Sequence, residues 1–180
     1  MKVVHLSYYG PKGETGGAVA TRRLHFGLRK VGIDSKILNA QIAHKSLYFE
    51  VFKPRKLERA MDSGLRRFIF KPFSLNGIGG VGSLRIKNHK TFLDADIVNF
   101  QRIYDFFSYL ALPRLTENKP TVFTLHDMWA FTGHCYHSLD CDRWKTGCRN
   151  CPYPNIHPTI RRDNTRLEWK LKSGSILGQS

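Results

Sequence analysis

The chain alternates between short apolar runs and segments in which apolar side chains recur at helical spacing. Four runs have the length and β-favouring content of strands: residues 2–8, 34–39, 96–100 and 121–125. Helical spacing is found at residues 18–31, 57–70, 106–115 and 161–172. Strands that alternate with helices predict parallel βαβ units. We therefore predict an α/β fold, a Rossmann-like, doubly wound and mainly parallel sheet flanked by helices, in one domain at residues 1–172 with a short tail at 173–180.

A glycine-rich loop leads from the first predicted strand into the first predicted helix and ends in Gly16, Gly17 and Ala18. Glycine lets the backbone approach a ligand closely, and the helix that follows offers unpaired N–H groups and a positive dipole end to an anion. These three residues are therefore candidates for binding a phosphorylated or sugar-like ligand. The alternative is a plain tight turn, because glycine is common in any turn.

His126 and Asp127 stand directly after the predicted strand 121–125, which we expect to be buried. Ligands of an open α/β sheet bind at the carboxyl ends of the strands, so both residues should share a rim with the glycine turn. We predict that His126 acts as a general base oriented by the Asp127 carboxylate, or donates a hydrogen bond to a sugar hydroxyl. A strand-end histidine that satisfies backbone groups is the alternative.

The segment from Gly77 to Gly82 matches the glycine spacing of dinucleotide-binding proteins, Gly-x-Gly-x-x-Gly. That motif should follow a clean strand, and the next strand should end in an acidic residue that binds the ribose. Here Pro72 precedes a poor strand pattern, and the next strand ends at Phe100 and Gln101. We therefore predict a flexible loop, which argues against a nicotinamide-dependent oxidoreductase.

Basic residues outnumber acidic ones, with 29 Lys and Arg against 14 Asp and Glu and a net charge of +15. This excess favours a polyanionic partner, although a solvated basic surface is the simpler alternative. Within residues 53–73, basic and apolar residues are interleaved in a pattern typical of docking on an anionic membrane. An ordinary packed helix with a solvated face explains this segment equally well.

The N-terminus lacks the features of a targeting segment. Too few apolar residues follow Met1 and Lys2 for a signal peptide, and no apolar run approaches the roughly 20 residues that span a bilayer. We therefore expect a cytoplasmic protein, associated at most peripherally with the inner face of the plasma membrane. Thiols stay reduced in that compartment.

Four cysteines cluster with the spacing C-x5-C-x6-C-x2-C: Cys135, Cys141, Cys148 and Cys151. Four thiolates can close a tetrahedral Zn²⁺ site, so we predict a structural zinc that fastens the loop 126–160, with His134 and His137 as reserve ligands. Free or redox-active thiols and disulfides are the alternatives. Zinc and positive charge would also suit a nucleic-acid-binding module. The basic residues are spread along the chain, however, so we expect no nucleic acid partner.

These segments together resemble the N-terminal domain of family 4 glycosyltransferases of the GT-B type, in particular bacterial exopolysaccharide (colanic-acid-like) members. The resemblance is carried by the Gly16-Gly17-Ala18 turn, by Asp96-Ile-Val-Asn-Phe100, and above all by Thr124-Leu-His-Asp-Met-Trp-Ala-Phe-Thr-Gly-His-Cys135. The run Cys141-Asp-Arg-Trp-Lys-Thr-Gly-Cys148, followed by Cys151 and Pro152, continues it. It spans most of residues 1–172, and the block at 124–152 is specific.

The resemblance implies two Rossmann-like domains that close on a UDP- or GDP-sugar donor and transfer its sugar, with retention, to a polysaccharide or lipid-linked acceptor. It implies acceptor recognition on this N-terminal half, the glycine turn near the donor phosphates, and His126 near the transferred sugar. The donor-binding residues belong to a C-terminal domain that these 180 residues do not include. Because transfer needs both walls of the cleft, we expect the chain alone to be inactive until that domain or a partner chain completes the site.

Overall fold

A computed structural model describes residues 1–9, 15–40, 47–75, 77–80, 82–104, 106–156 and 158–177 of the chain. Within these residues lie the strands β1 (Lys2–Ser7), β2 (Asp34–Asn39), β3 (Phe49–Val51), β4 (Ile97–Arg102) and β5 (Thr121–Phe123). They form one sheet in the order β3-β2-β1-β4-β5, and every neighbouring pair is parallel. The order turns back between β1 and β4, as it does in doubly wound folds. The predicted α/β class is confirmed.

Helices connect and flank these strands. The α-helices in the described part of the chain are α1 (Gly16–Lys30), α2 (Lys56–Leu65), α3 (Lys90–Leu93), α4 (Leu112–Thr116) and α5 (Thr165–Lys172). Turns of π-helix continue α2 over Arg66–Phe70 and α5 over Ser173–Leu177, and 3-10 turns occupy Ser83–Asn88, Tyr109–Ala111 and Arg143–Lys145. Among the described residues, no helix combines the length and the apolar content needed to cross a membrane.

The two edge strands differ from the sequence prediction. β3 was not predicted, because its three residues are too few to show a period of alternating side chains. β5 has three residues rather than five, and among the described strands it pairs with β4 alone. Thr121 is exposed and Val122 is 49% exposed, so the prediction of a buried strand is wrong. An edge strand buries less of its surface than its apolar run suggests, and here Phe123 stacks on Phe100 while its neighbours face solvent.

The hydrophobic core lies on one face of the sheet. Its strand residues are Val4, Leu6, Leu38, Val98 and Phe100. They alternate along β1, β2 and β4 with side chains on the other face that are mostly polar, although Val3 and Ile37 are also buried there, as the strand period of two requires. Segments that follow β4 cover this face with large side chains: Phe106, Phe107, Tyr109, Leu112, Leu115 and Trp129.

The opposite face of the sheet is mostly polar, with Val3 and Ile37 as buried apolar exceptions, and it lies against α1. This helix buries Ala18, Thr21 and His25, whereas two apolar residues of the predicted pattern, Leu24 on the helix and Val31 directly after it, are 38% and 72% exposed. The apolar pattern therefore predicts the helix but not the face that it buries. The sheet presents hydrogen-bonding groups here, so α1 meets them with a hydroxyl and an imidazole.

Two buried histidines on this polar face share one serine. Ser35 Oγ lies 3.1 Å from His5 Nε2 and 2.8 Å from His25 Nδ1. The remaining ring nitrogens, His5 Nδ1 and His25 Nε2, are buried and have no hydrogen-bond partner within the described residues. Burial lowers the pKa of His5 to about 4, and neighbouring His25 adds to the shift. Burial, with a contribution from Arg29, also lowers the pKa of His25, so both rings are neutral at pH 7.

We expect the domain to lose stability as the pH falls from about 6.5, where histidine titrates in the unfolded chain, to about 4, where His5 titrates in the fold. In this window the unfolded chain binds protons that the folded protein excludes. His5 alone accounts for about 3 kcal/mol at pH 4. Urea unfolding at pH 7 and pH 4 measures the loss. His5→Asn should reduce it, and His137→Asn, at an exposed position, should not. An unchanged pH dependence in His5→Asn would contradict this explanation.

α2 packs on the domain through its polar side. The Arg85 guanidinium donates to Glu58 at 2.6 and 2.7 Å, and Gly80 N donates to Asp62 Oδ1 at 2.9 Å. The helix has no buried residue, and Leu57 and Met61 are 71% and 48% exposed. The predicted helical pattern at 57–70 is thus confirmed, but its apolar side faces away from the core.

The glycine segment 77–82 lacks the context of a dinucleotide-binding motif. Its described residues follow a helical turn rather than a strand and lead into the 3-10 turn Ser83–Asn88. Gly77 has a φ of +82° and lies against the ring of Trp129, where a Cβ would collide with the indole. Close packing against Trp129 and a left-handed backbone explain why position 77 is a glycine. The rejection of the dinucleotide motif agrees with this geometry.

Candidate functional site

The candidate site lies at the carboxyl edge of the sheet, where α1 begins. Thr15 caps this helix, and its Oγ1 accepts a hydrogen bond from Ala18 N at 3.4 Å. Gly16 and Gly17 belong to the first helical turn, which contains no acidic residue. No carboxylate of that turn therefore offsets the positive charge of the first N–H groups and of the helix dipole. This arrangement favours an anion at the start of α1.

Gly17 lies directly against the imidazole of His126. A Cβ on Gly17 would be 3.5 Å from Cγ and Cδ2 of the ring, whereas a Cβ on Gly16 would meet no atom within 4 Å. A side chain larger than alanine at position 17 would displace the imidazole. The structure therefore brings the predicted glycine turn and the predicted strand-end histidine together at one rim.

Gln101, next to the last residue of β4, holds the imidazole in place. His126 Nε2 lies 2.8 Å from Gln101 Oε1. The amide nitrogen of Gln101 donates to Asn99 Oδ1 at 3.1 Å and to Thr124 Oγ1 at 3.2 Å, so its oxygen acts as the acceptor. Neutral His126 therefore carries its proton on Nε2. The lone pair on Nδ1 is left to accept a proton or a hydrogen bond.

A bulge in β4 positions Gln101. The pairing of β1 with β4 shifts in register between Leu6 and Ser7, so that Gln101 is the extra residue on β4. Bulges redirect a side chain and are frequent beside functional sites. Gln101, Asn99 and Thr124 were not predicted as site residues from the sequence. The available signal was the presence of polar residues in and after strands that are otherwise apolar.

Asp127 holds the turn after β5 rather than the imidazole. Its Oδ1 accepts a hydrogen bond from Trp129 N at 2.8 Å, and within the described residues the hydrogen-bond partner of His126 is Gln101. The predicted pair of His126 with an orienting Asp127 carboxylate is therefore not formed. Burial lowers the pKa of His126; the charge of Asp127 opposes this shift, and that of Arg102 adds to it. The ring is neutral at pH 7, and the catalytic roles of both residues stay predictions.

Aromatic side chains border His126. Tyr104 contacts Trp129 and Tyr136, with ring centroids 5.5 and 5.7 Å apart, and the three rings line a shallow pocket together with His126 and Arg102. Aromatic walls with a few convergent polar groups are typical of small-molecule sites. A sugar offers apolar C–H faces to such rings and hydroxyls to the polar groups.

Helix α5 fastens the loop 126–160. Lys172 Nζ donates to the Trp129 carbonyl at 3.0 Å, and Trp169 Nε1 donates to the Trp144 carbonyl at 2.9 Å. Lys172 is fully buried and lies 3.7 Å from the Glu168 carboxylate. The turn that carries His126 is thus tied at its backbone to a buried ion pair.

The four cysteines come together beside α5, where they line a small cavity of about 20 Å³: Cys135, Cys141, Cys148 and Cys151. All four are free thiols. Gly133 N donates to Cys148 Sγ at 3.1 Å, so the thiols are part of the packing of the loop. Of the alternatives drawn from the sequence, the structure shows reduced thiols and no disulfide among these four.

The structure does not support the predicted zinc site. In the part of the chain that it describes, no group of three or more His, Cys, Asp or Glu side chains is arranged to hold a metal ion. Of the reserve ligands, His134 hydrogen-bonds the Pro158 carbonyl and His137 is exposed. The zinc-bearing nucleic-acid-binding module is equally unsupported. In the described residues, the loop is fastened by α5.

A short stretch of the chain is similar to a protein named as a glycosyl transferase. Over 53 residues the chain is 42% identical to WcaC of Escherichia coli K12, named as a colanic acid biosynthesis glycosyl transferase. This stretch covers 28% of the chain and 13% of that protein. No family model and no solved structure matches the chain. The similarity supports glycosyl transfer in general.

Proposed function

We propose that residues 1–172 form the acceptor-side domain of a GT-B type glycosyltransferase of family 4 that acts in exopolysaccharide biosynthesis. The observation that carries this proposal is the packing of Gly17, in the first turn of α1, against His126. It joins a helix end that favours an anion to a neutral imidazole, which suits a phosphorylated sugar. The similarity to the glycosyl transferase WcaC supports the same class of reaction.

In this proposal a UDP- or GDP-sugar is the donor substrate, and its diphosphate lies at the start of α1. The N–H groups of Gly16 and Gly17 occupy the first two helical positions, where they have no partner within the helix. The acceptor hydroxyl attacks the anomeric carbon as the bond to the nucleoside diphosphate breaks. The Nδ1 lone pair of His126 accepts the acceptor's proton, or it accepts a hydrogen bond from a sugar hydroxyl while the acceptor's proton passes to the leaving diphosphate. Asp127 keeps the His126 turn in place.

We expect residues 1–180 alone to bind nucleotide sugars weakly or not at all. The leaving diphosphate gains charge as the bond breaks, and one helix end compensates little of it, so a second domain or partner chain must supply further positive groups. Calorimetric titration with UDP-glucose and GDP-mannose measures the affinity. Submicromolar binding, or turnover by these residues alone, would contradict the proposal that a second domain or partner chain is needed.

Sugar transfer tests the function itself. Residues 1–180 are produced together with a Rossmann-like donor-binding domain encoded downstream or by a neighbouring gene. Label from radioactive UDP- and GDP-sugars is then followed into lipid-linked and polymeric products. Transfer that requires both parts supports the proposal. Label that stays on the nucleotide with every donor, or the absence of any such neighbouring domain, would overturn it.

A further inference from the structure

α2 presents apolar side chains to solvent and acidic side chains to the body of the domain. Glu58 pairs with Arg85 at 2.6 Å, and Asp62 accepts the N–H of Gly80 at 2.9 Å. On the outer side, Leu57 is 71% exposed. A helix that packs only on its own domain buries its apolar face and exposes its charges. The reverse arrangement leaves the apolar face of α2 available to something outside the domain.

The helical turn after α2 continues this apolar face. Phe68 is 72% exposed, Ile69 43% and Phe73 41%. With the exposed Leu57 and Met61, they form a surface at residues 53–73 that we call the basic–apolar ridge. Large apolar side chains grouped on one exposed surface mark interaction sites.

Basic side chains surround the apolar ones on the ridge. Seven lie in this segment and all are exposed: Lys53, Arg55, Lys56, Arg59, Arg66, Arg67 and Lys71. Its two acidic residues, Glu58 and Asp62, are turned towards the domain and engaged there, so they offset little of the outward charge. Exposed Lys and Arg beside Leu and Phe on one helix are typical of segments that lie in the headgroup region of anionic membranes.

We propose that the basic–apolar ridge docks on an anionic lipid bilayer. Leu57, Met61 and Phe68 would enter the boundary between headgroups and acyl chains, and the basic side chains would contact lipid phosphates. A second copy of this chain fits poorly, because each copy carries a net charge of +15 and the two ridges would repel each other. A nucleic acid offers phosphates but no apolar phase for the Leu and Phe side chains. A bilayer supplies both.

The ridge adjoins the candidate site. Arg66, Phe70 and Lys71 line a cavity of about 260 Å³ together with Tyr104, and Tyr104 also lines the shallow pocket of His126. A bilayer at the ridge would therefore place membrane-bound molecules beside the rim. Docking needs no sugar transfer, so the chain can bind a bilayer whether or not it has the proposed function.

Cosedimentation of the 180-residue chain with lipid vesicles tests the docking. We expect binding to vesicles of phosphatidylcholine with about 40% phosphatidylglycerol to be at least about tenfold tighter than to phosphatidylcholine alone. The double substitution Leu57→Ser and Phe68→Ser should weaken it by about tenfold or more. Val31→Ser, at a position 72% exposed directly after α1, should change it by less than about twofold. Circular dichroism verifies that each variant is folded.

A second pair of variants separates the ridge from the overall charge. Lys56→Gln with Arg67→Gln should weaken binding to the anionic vesicles by about tenfold. Arg23→Gln with Lys30→Gln removes the same charge from exposed positions on α1, and should weaken it by less than about threefold. Equal losses in the two pairs would show diffuse attraction to the basic chain and overturn the proposal. It would also be overturned by absent vesicle binding, or by a dimer in gel filtration that the Leu57 and Phe68 substitutions dissociate.

Discussion

Replacing Lys172 with methionine should destabilise the domain by about 3–5 kcal/mol. Lys172 is fully buried on α5, where its Nζ donates to the Trp129 carbonyl at 3.0 Å and lies 3.7 Å from Glu168 Oε2. Methionine fills a similar volume, but it leaves the buried carboxylate without a counter-ion and the carbonyl without this donor. Tyr109 donates to the same carboxylate at 3.4 Å, but it brings no positive charge.

Urea unfolding measures the effect of Lys172→Met. Lys170→Met, at an exposed position of the same helix, is the matched control and should change the free energy of unfolding by less than about 0.5 kcal/mol. Adding Glu168→Leu to Lys172→Met should recover much of the loss, because no unpaired charge then stays buried. Equal stability of Lys172→Met and the parent chain would show that this pair does not hold α5 to the loop.

The central strands could be predicted from the sequence because they are twice as long as the edge strands, with six residues against three. β1 and β2 each have six residues, and both lie within the predicted runs at 2–8 and 34–39. β3 has three residues, and its position is decided by pairing with β2, which no local pattern encodes. The buried face of α1 could not be predicted from the sequence either. It depends on the polar surface of the sheet beneath the helix, and that surface is assembled from distant segments.

The location of the candidate site could be predicted from a general rule, because the carboxyl ends of parallel strands meet at one edge of the sheet. That rule placed Gly17 and His126 together, but it could not supply the partner of His126. Gln101 reaches the imidazole because of a bulge, and the pairing of β1 with β4 decides the bulge. Cysteine spacing has the same limit. It gives the order of the thiols along the chain, whereas the fold of their loop determines whether they can share a metal.

Replacing His126 with alanine should lower the turnover of the complete transferase by about 100-fold, with little loss of stability. The substitution removes the Nδ1 lone pair from the rim, where the ring is half-buried, and opens no cavity in the core. Transfer assays with the donor-binding domain present measure kcat, and thermal unfolding of the 180 residues measures stability. Burial lowers the pKa of His126, so turnover of the parent enzyme should fall only as the pH drops below about 6.5.

Two neighbouring variants separate the roles around His126. Asp127→Asn keeps the oxygen that accepts the Trp129 N–H, so turnover should stay within about threefold of the parent enzyme. Gln101→Glu places a buried carboxylate against Nε2, which should raise the pKa of His126 and move the acid limb of turnover to higher pH. A loss of turnover in Asp127→Asn as large as that in His126→Ala would show that the Asp127 carboxylate takes part in catalysis. It would contradict the conclusion that Asp127 only holds the turn. Unchanged turnover in His126→Ala would reduce His126 to a strand-end residue that completes the hydrogen bonds of Gln101.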